Sequence, residues 1–258
     1  MKNILITGAN SYIGTSFENY MRQWPDQYQV HTVDMINNAW RGNDFSDYNA
    51  VFHVAGIAHI KETKENAPLY YKINRDLAIE TARKAKNDGV KQFIFLSSMS
   101  VYGLDTGIIT IDTKPTPKNN YGKSKLQAEE GISTLIDSNF FVSILRPPMV
   151  YGKGCKGNFQ QLIRIVENYP VFPRIKNQRS IIYIDNLSAF VKMVIDNSLF
   201  GVMFPQNREY ACTEKIVLLI AEQLGKTIRL SDVLALPVAL GAYAVPKIAK
   251  AFGSLIYK

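Results

Sequence analysis

Two cysteines and three histidines in 258 residues leave little material for a metal centre or a disulfide framework. Cys155 and Cys212 stand far apart with no metal-type spacing, which excludes a zinc-built fold and points to a reducing cytoplasm. No apolar run is long enough to span a bilayer, and the opening MKNILITGAN turns polar too early for a secretory leader. Repeats, low-complexity tracts and nucleic-acid motifs are likewise missing. What is present is ordinary globular composition, 47% apolar and 20% charged, sufficient for one large core or a domain with a smaller lobe. Charge is the one imbalance. A net +8 suits an anionic ligand such as a nucleotide diphosphate, or an anionic membrane surface, or simply a solvated basic face.

The stretch that organises the chain runs from Phe93 to Lys125. FIFLSSMSVYG is a short apolar run ending in hydroxyls, the pattern of a buried parallel strand emerging into a crevice. YGKSK then sets Tyr121 and Lys125 four residues apart, on one face of a helix. A free phenol titrates near ~10, and bringing it to roughly 7 requires about 4 kcal/mol of preference for phenolate. One cation at ~4 Å in an effective dielectric of ~20 supplies about that much. Lys125 is therefore expected to prepare Tyr121 as a base for a substrate hydroxyl, with Ser98 holding the same oxygen. The pattern alone is not specific, since Tyr243 and Lys247 repeat it with Pro246 between and no serine block upstream.

The amino-terminal half supplies the context. A strand at Asn3–Thr7 leads into GANSYIG and a helix from Ile13 to Gln23, so the helix amino terminus is placed to receive a pyrophosphate. Gly8 makes the turn, Gly14 allows close helix–strand packing, and Ser11 stands where a middle glycine would let the backbone approach. A second strand, Gln29–Val33, ends at Asp34, an acid suited to a ribose 2′-hydroxyl and repellent to a 2′-phosphate, or else a loop aspartate capping the next turn. A third, Ala50–Val54, ends in Ala55 and Gly56, small enough for a cofactor to pass. His59 follows in a loop, and Leu69–Lys86 reads as a helix. With strands near Phe93 and at Phe140–Leu145, the alternation predicts an α/β protein with a parallel sheet covered on both faces.

Beyond residue 150 the pattern becomes a smaller lobe. A helix is expected from Asn158 to Asn168, a strand at Ser180–Ile184, and helices capped by Asp185 and by Thr213. The apolar tail Val233–Val245, followed by Lys247, Lys250 and Lys258, suits packing on the domain or a second subunit, with an interfacial membrane helix as the less favoured reading.

Taken in order, TGANSYIG, Asp34, NDF, HVAGIAH, Asn74, SSMSVYG, YGKSK, LRPPMVYG and RSIIYIDNL resemble the extended short-chain dehydrogenase/reductase family, in its nucleotide-sugar epimerase/dehydratase branch. The resemblance implies a Rossmann-like doubly wound sheet binding NAD over residues 1–150, with 180–197 packing back on it, and a substrate lobe over 151–258. It implies Ser98, Tyr121 and Lys125 as the catalytic trio. Cofactor contacts would come from Gly8, Ser11, Tyr12, Ile13, Gly14, Asp34, Asp44, Phe45, Ala55, Gly56, Asn74, Ser97, Tyr121, Lys125 and Pro147. The substrate, a UDP-sugar, would meet Ser98, Ser100, Tyr121, Asn158, Phe172 and Arg179. Met99 and Ser100 replace the Asp–Glu pair of the sugar dehydratases, leaving 4-epimerisation for surface polysaccharide synthesis, or NAD(P)H-dependent reduction of a UDP-4-keto-6-deoxy sugar, in a cytoplasmic homodimer, with a non-catalytic dinucleotide-binding scaffold as the third alternative.

Overall fold

The computed structural model describes residues 1–258 apart from 59, 61, 156 and 245–251, and apart from the side chains of Asn158 and residues 239–244. His59 and Lys247 thus lie outside the described residues, as does the end of the apolar tail.

In chain order the elements are β1 (Lys2–Thr7), α1 (Tyr12–Met21), β2 (Tyr28–Val33), β3 (Ala50–His53), α2 (Ala67–Tyr70), α3 (Leu77–Asn87), β4 (Gln92–Leu96), β5 (Gly107–Ile109), α4 (Asn120–Ser133), β6 (Phe141–Leu145), β7 (Met149–Tyr151), α5 (Asn158–Asn168), β8 (Val171–Pro173), β9 (Ile181–Tyr183), α6 (Ile184–Asp196), β10 (Gly201–Met203), α7 (Thr213–Gln223), β11 (Arg229–Ser231), α8 (Asp232–Ala244) and β12 (Leu255–Tyr257). They divide into two compact units: residues 1–103, 115–148 and 183–205, and residues 104–114, 149–182 and 206–258.

The first unit is built on a six-stranded parallel sheet in the order β10-β6-β4-β3-β1-β2. The near-continuous apolar runs of β3 and β4 are buried throughout, as a sheet covered on both faces requires. α1 packs on α6, and α3 packs on α4. Strand order reverses at β1, whose neighbours are β2 on one side and β3 on the other, so their carboxyl ends flank a topological switch point. The sixth strand, β10, is three residues long and went unread in the sequence. The helix expected over 69–86 is instead α2 and α3 joined by a π turn, Tyr71–Asp76, which holds Asn74.

Among the described residues the second unit has three two-stranded pairs, β11–β8, β12–β5 and β7–β9, and residues 104–114 belong to it because β5 pairs with β12. Its core gathers Val166, Phe172, Val217, Ala221 and Ile228. Two caps differ from expectation. Asp185 lies inside the first turn of α6, whose N-cap is Tyr183, and Thr213 is the first residue of α7, whose N-cap is Cys212. On α8, Val233, Leu234 and Leu236 are exposed. Among the described residues no helix is long and apolar enough to cross a membrane.

Candidate active site

The carboxyl ends of β1 and β3 approach as closely as backbones can. Ala55 N donates to Thr7 O at 2.9 Å, and a Cβ on Gly8, whose φ is +111°, would meet Ala55 N at 2.9 Å. Only glycine satisfies both conditions there. A Cβ on Gly14 would lie 2.6 Å from Ser11 Oγ and 3.1 Å from both Ile6 and Val54, so the first turn of α1 rests directly on β1 and β3. Ser11 is the N-cap of that helix: its hydroxyl oxygen accepts from Gly14 N at 3.2 Å, while its own proton is left to donate. Tyr12 and Ile13 open α1 behind it, at the amino terminus where backbone N–H groups favour an anion.

Asp34 follows β2, exposed, with one carboxylate oxygen accepting from Ile36 N at 2.9 Å. Beyond it a cavity of about 300 Å³ is lined by residues that include Val33, Asn43, Asp44, Phe45 and Tyr48. Asp44 is held below the usual carboxylate range by hydrogen bonds from Ser46. Phe45 is 1% exposed, with Lys84 Nζ 4.8 Å over its ring, so almost none of the ring is open to a stacked base.

Asn74 is buried, and the π turn aims it at the segment after β3. It accepts from Ile57 N at 2.8 Å and donates to Ile57 O at 3.1 Å and to Ser124 Oγ at 3.2 Å. Its amide is thereby committed to bracing the loop, and Gly56 passes beneath it: a Cβ there would meet Asn74 Oδ1 at 2.9 Å and Lys125 Nζ at 3.4 Å. Ser97 is also committed, its hydroxyl donating to Glu129. Pro147 contributes its carbonyl, which accepts from Met99 N at 2.9 Å. A dinucleotide fits this set: two glycines that bring strand and helix together, a capped helix amino terminus, and an acid at the end of β2.

At the end of β4, Ser98 caps a 3₁₀ turn, Met99–Tyr102, accepting from Ser100 N at 3.1 Å and donating to Ser100 Oγ at 3.2 Å. Asn119 caps α4 by accepting from Gly122 N at 2.8 Å, which starts the helix one residue before Tyr121. Ser98 stands near enough to Tyr121 to favour its phenolate, and the Tyr70 ring stands 6.4 Å from that of Tyr121. Lys125 is buried, donating to Leu96 O at 2.8 Å and lying 4.6 Å over the Phe95 ring.

These positions correct one expectation. Burial pushes the Tyr121 phenol above its ordinary value, Ser98 draws it down, and Tyr70 pushes it up further; Lys125 is not among the groups that move it. The lysine ammonium is instead directed at Leu96 and Phe95, and burial lowers it to about 8. His53, stacked beside Phe93 and Phe95, is driven to about 3 by burial and by Lys125, so it stays neutral.

In the second unit Phe172 is 2% exposed in the core and tilted against Phe252, which corrects the expectation that it meets the substrate. Arg179 donates to Gly253 O at 2.9 Å, and burial lowers its guanidinium while Asp105 opposes the shift. Asn158 opens α5, and its side chain lies outside the described residues. Sequence reasoning missed Glu129 and Arg146, a buried pair joined at 2.5 Å. The signal was available, for Glu129 repeats the four-residue step of Tyr121 and Lys125.

The family model for the NAD dependent epimerase/dehydratase family matches residues 4–202. The chain is 33% identical over 220 residues to the UDP-glucose 4-epimerase of Vibrio cholerae, covering 76% of this chain and 67% of that one. It is 26% identical over 217 residues to the N-acetyl-alpha-D-glucosaminyl-diphospho-ditrans,octacis-undecaprenol 4-epimerase of Escherichia coli O157:H7, covering 77% and 65%. The chain therefore spans about two thirds of the length of these relatives. Among solved structures, the UDP-glucuronic acid 4-epimerase of Bacillus cereus in complex with NAD superposes with a TM-score of 0.76 at 20% identity over 99% of this chain and 87% of that one. A dTDP-4-dehydrorhamnose reductase from Clostridium acetobutylicum gives 0.73 at 21% identity, over 89% and 82%. At these identities the likeness concerns the fold.

Proposed function

The chain belongs to the NAD dependent epimerase/dehydratase family, and from that premise we propose that it is a UDP-sugar 4-epimerase, acting on a UDP-hexose or UDP-N-acetylhexosamine in surface polysaccharide synthesis. The observation that carries the reading is the placement of Ser98 after β4 beside Tyr121 at the start of α4, with buried Lys125 one turn further along the helix. Curated relatives named as 4-epimerases support the choice of reaction. NAD, when bound, accepts hydride from the sugar C4 and returns it, and in its oxidised form adds positive charge. Tyr121 takes the O4 proton as C4 is oxidised and gives it back after the keto sugar has turned over. Ser98, turning its one hydroxyl proton from Ser100 Oγ to the substrate, donates to the same oxygen and fixes it against the phenol. Lys125, anchored on Leu96, presents its remaining N–H groups toward Gly56 and the cofactor ribose. Arg179 and Asn158, both in the second unit, are assigned to the diphosphate. Met99 and Ser100 offer no acid for eliminating water, so dehydration is not proposed. The same reading makes the enzyme a cytoplasmic homodimer.

The reaction is tested by incubating the protein with UDP-glucose and with UDP-N-acetylglucosamine, without added NADH. The expected result is formation of the 4-epimers, lost by at least about 10²-fold in Tyr121→Phe at unchanged folding. NAD(P)H consumption with a 4-keto sugar, and no epimer, would transfer the assignment to a 4-ketoreductase.

A further inference from the structure

Glu129 is a buried carboxylate that this reaction does not use. It sits on α4 one turn after Lys125 and two turns after Tyr121, on the same face. Its Oε2 accepts from Arg146 Nη2 at 2.5 Å and Nε at 3.2 Å; its Oε1 accepts from Arg146 Nε at 3.1 Å and from the Ser97 hydroxyl. Arg146 in turn donates Nη1 to Tyr102 Oη at 2.7 Å. Each partner adjoins the catalytic set: Ser97 precedes Ser98, Tyr102 closes the turn that Ser98 caps, and Arg146 precedes Pro147, which accepts from Met99 N. One carboxylate thus ties α4 to the ends of β4 and β6.

A buried ion pair is poor evidence for stability, because removing two charges from water offsets most of their attraction and apolar replacements often serve as well. Its place one turn along the same face of α4 from Lys125 gives it another use. The lysine is faced by the Leu96 carbonyl and Phe95 ring from β4, neutral His53 from β3, the Asn74 amide across Gly56, and Tyr121 and Glu129 from its own helix, with the Arg146 guanidinium behind Glu129 at the end of β6. Two influences compete for its proton: burial acts to remove it, and Glu129 acts to retain it. We infer that Glu129 is a positioning residue, tied by Arg146 and Ser97, that holds Lys125 as an ammonium on the catalytic face of α4. The inference rests on the reading of Lys125 as part of the reaction machinery.

The test titrates Lys125 directly by NMR of protein carrying ¹³Cε-lysine, its signal assigned by loss in Lys125→Arg. Glu129→Gln is expected to lower the midpoint of that signal by about one pH unit. The alkaline limb of the pH–rate profile moves the same way, since activity requires the ammonium. An unchanged midpoint in folded Glu129→Gln overturns the inference. Because Glu129→Gln by itself leaves the Arg146 charge unbalanced, the double variant Glu129→Gln/Arg146→Met removes both charges; it is expected to show a smaller shift in the same downward direction, and no downward shift there is again fatal. The midpoint is read without turnover, so inactivity of the wild type toward UDP-sugars would sink the functional reading and leave this result standing.

Discussion

At the scale of single residues, side-chain type and order were legible in the sequence, and prior engagement of polar atoms was not. Gly8 and Gly14 could be read because strand, turn and helix leave no room for a Cβ, and Tyr121 with Lys125 because four residues is one helical turn. Asn74 and Ser97 also lie at the site, but their hydrogen-bonding groups are taken by Ile57, Ser124 and Glu129, partners remote in sequence. Phe172 shows the same limit for an apolar group. Its order along the chain suggested a ligand, whereas its burial among Val166, Val217 and Ile228 makes it core. Truncation of a buried Phe costs about 3–5 kcal/mol. Phe172→Ala is therefore expected to unfold at markedly lower denaturant, with the KM for nucleotide sugar unchanged in the folded protein. Stability held and KM raised would return Phe172 to the ligand.

At the scale of elements, the regular parts of the first unit were legible within a residue or two, because strands buried on both faces are continuous apolar runs. Two features escaped. The π turn of Tyr71–Asp76 is a single short turn between helices, too brief for its wider spacing to register in the pattern. β10 is too short for any periodicity to register. The start of α4 is the element on which chemistry depends, and its tolerance is set by contact more than by propensity. Alanine exceeds glycine in a helix by about 1 kcal/mol, which taken alone favours Gly122→Ala. Against that, a Cβ on Gly122 would come within 2.5 Å of Ser100 O, a backbone atom that cannot swing aside. The clash should win. Gly122→Ala is expected to lower the melting temperature and, by displacing Tyr121 from Ser98, to cut kcat more than it raises KM. A stabilised, fully active variant would show that the turn at Ser98 yields without consequence.

At the scale of the whole molecule the charge is divided unequally. The ranges forming the second unit carry 14 Lys and Arg against 7 Asp and Glu; those forming the first carry 16 against 15. The excess of +8 noted in the sequence therefore belongs almost wholly to the unit that holds Arg179 and α5. A solvated basic face and an anion-binding field give the same sum in a sequence, and salt separates them. Screening shortens the reach of exposed charge from ~30 Å at 0.01 M to ~3 Å at 1 M. If the second unit draws in a nucleotide diphosphate, KM for the UDP-sugar should rise several-fold between about 0.05 and 0.5 M NaCl, where the screening length falls by about a factor of three. Over the same range kcat should stay nearly level, because Ser98 is uncharged and Lys125 is buried away from salt. Isothermal titration of Tyr121→Phe with UDP-sugar isolates binding from turnover and should show the same salt slope. A KM and an affinity indifferent to salt would mean that the basic surface of the second unit serves something other than the substrate.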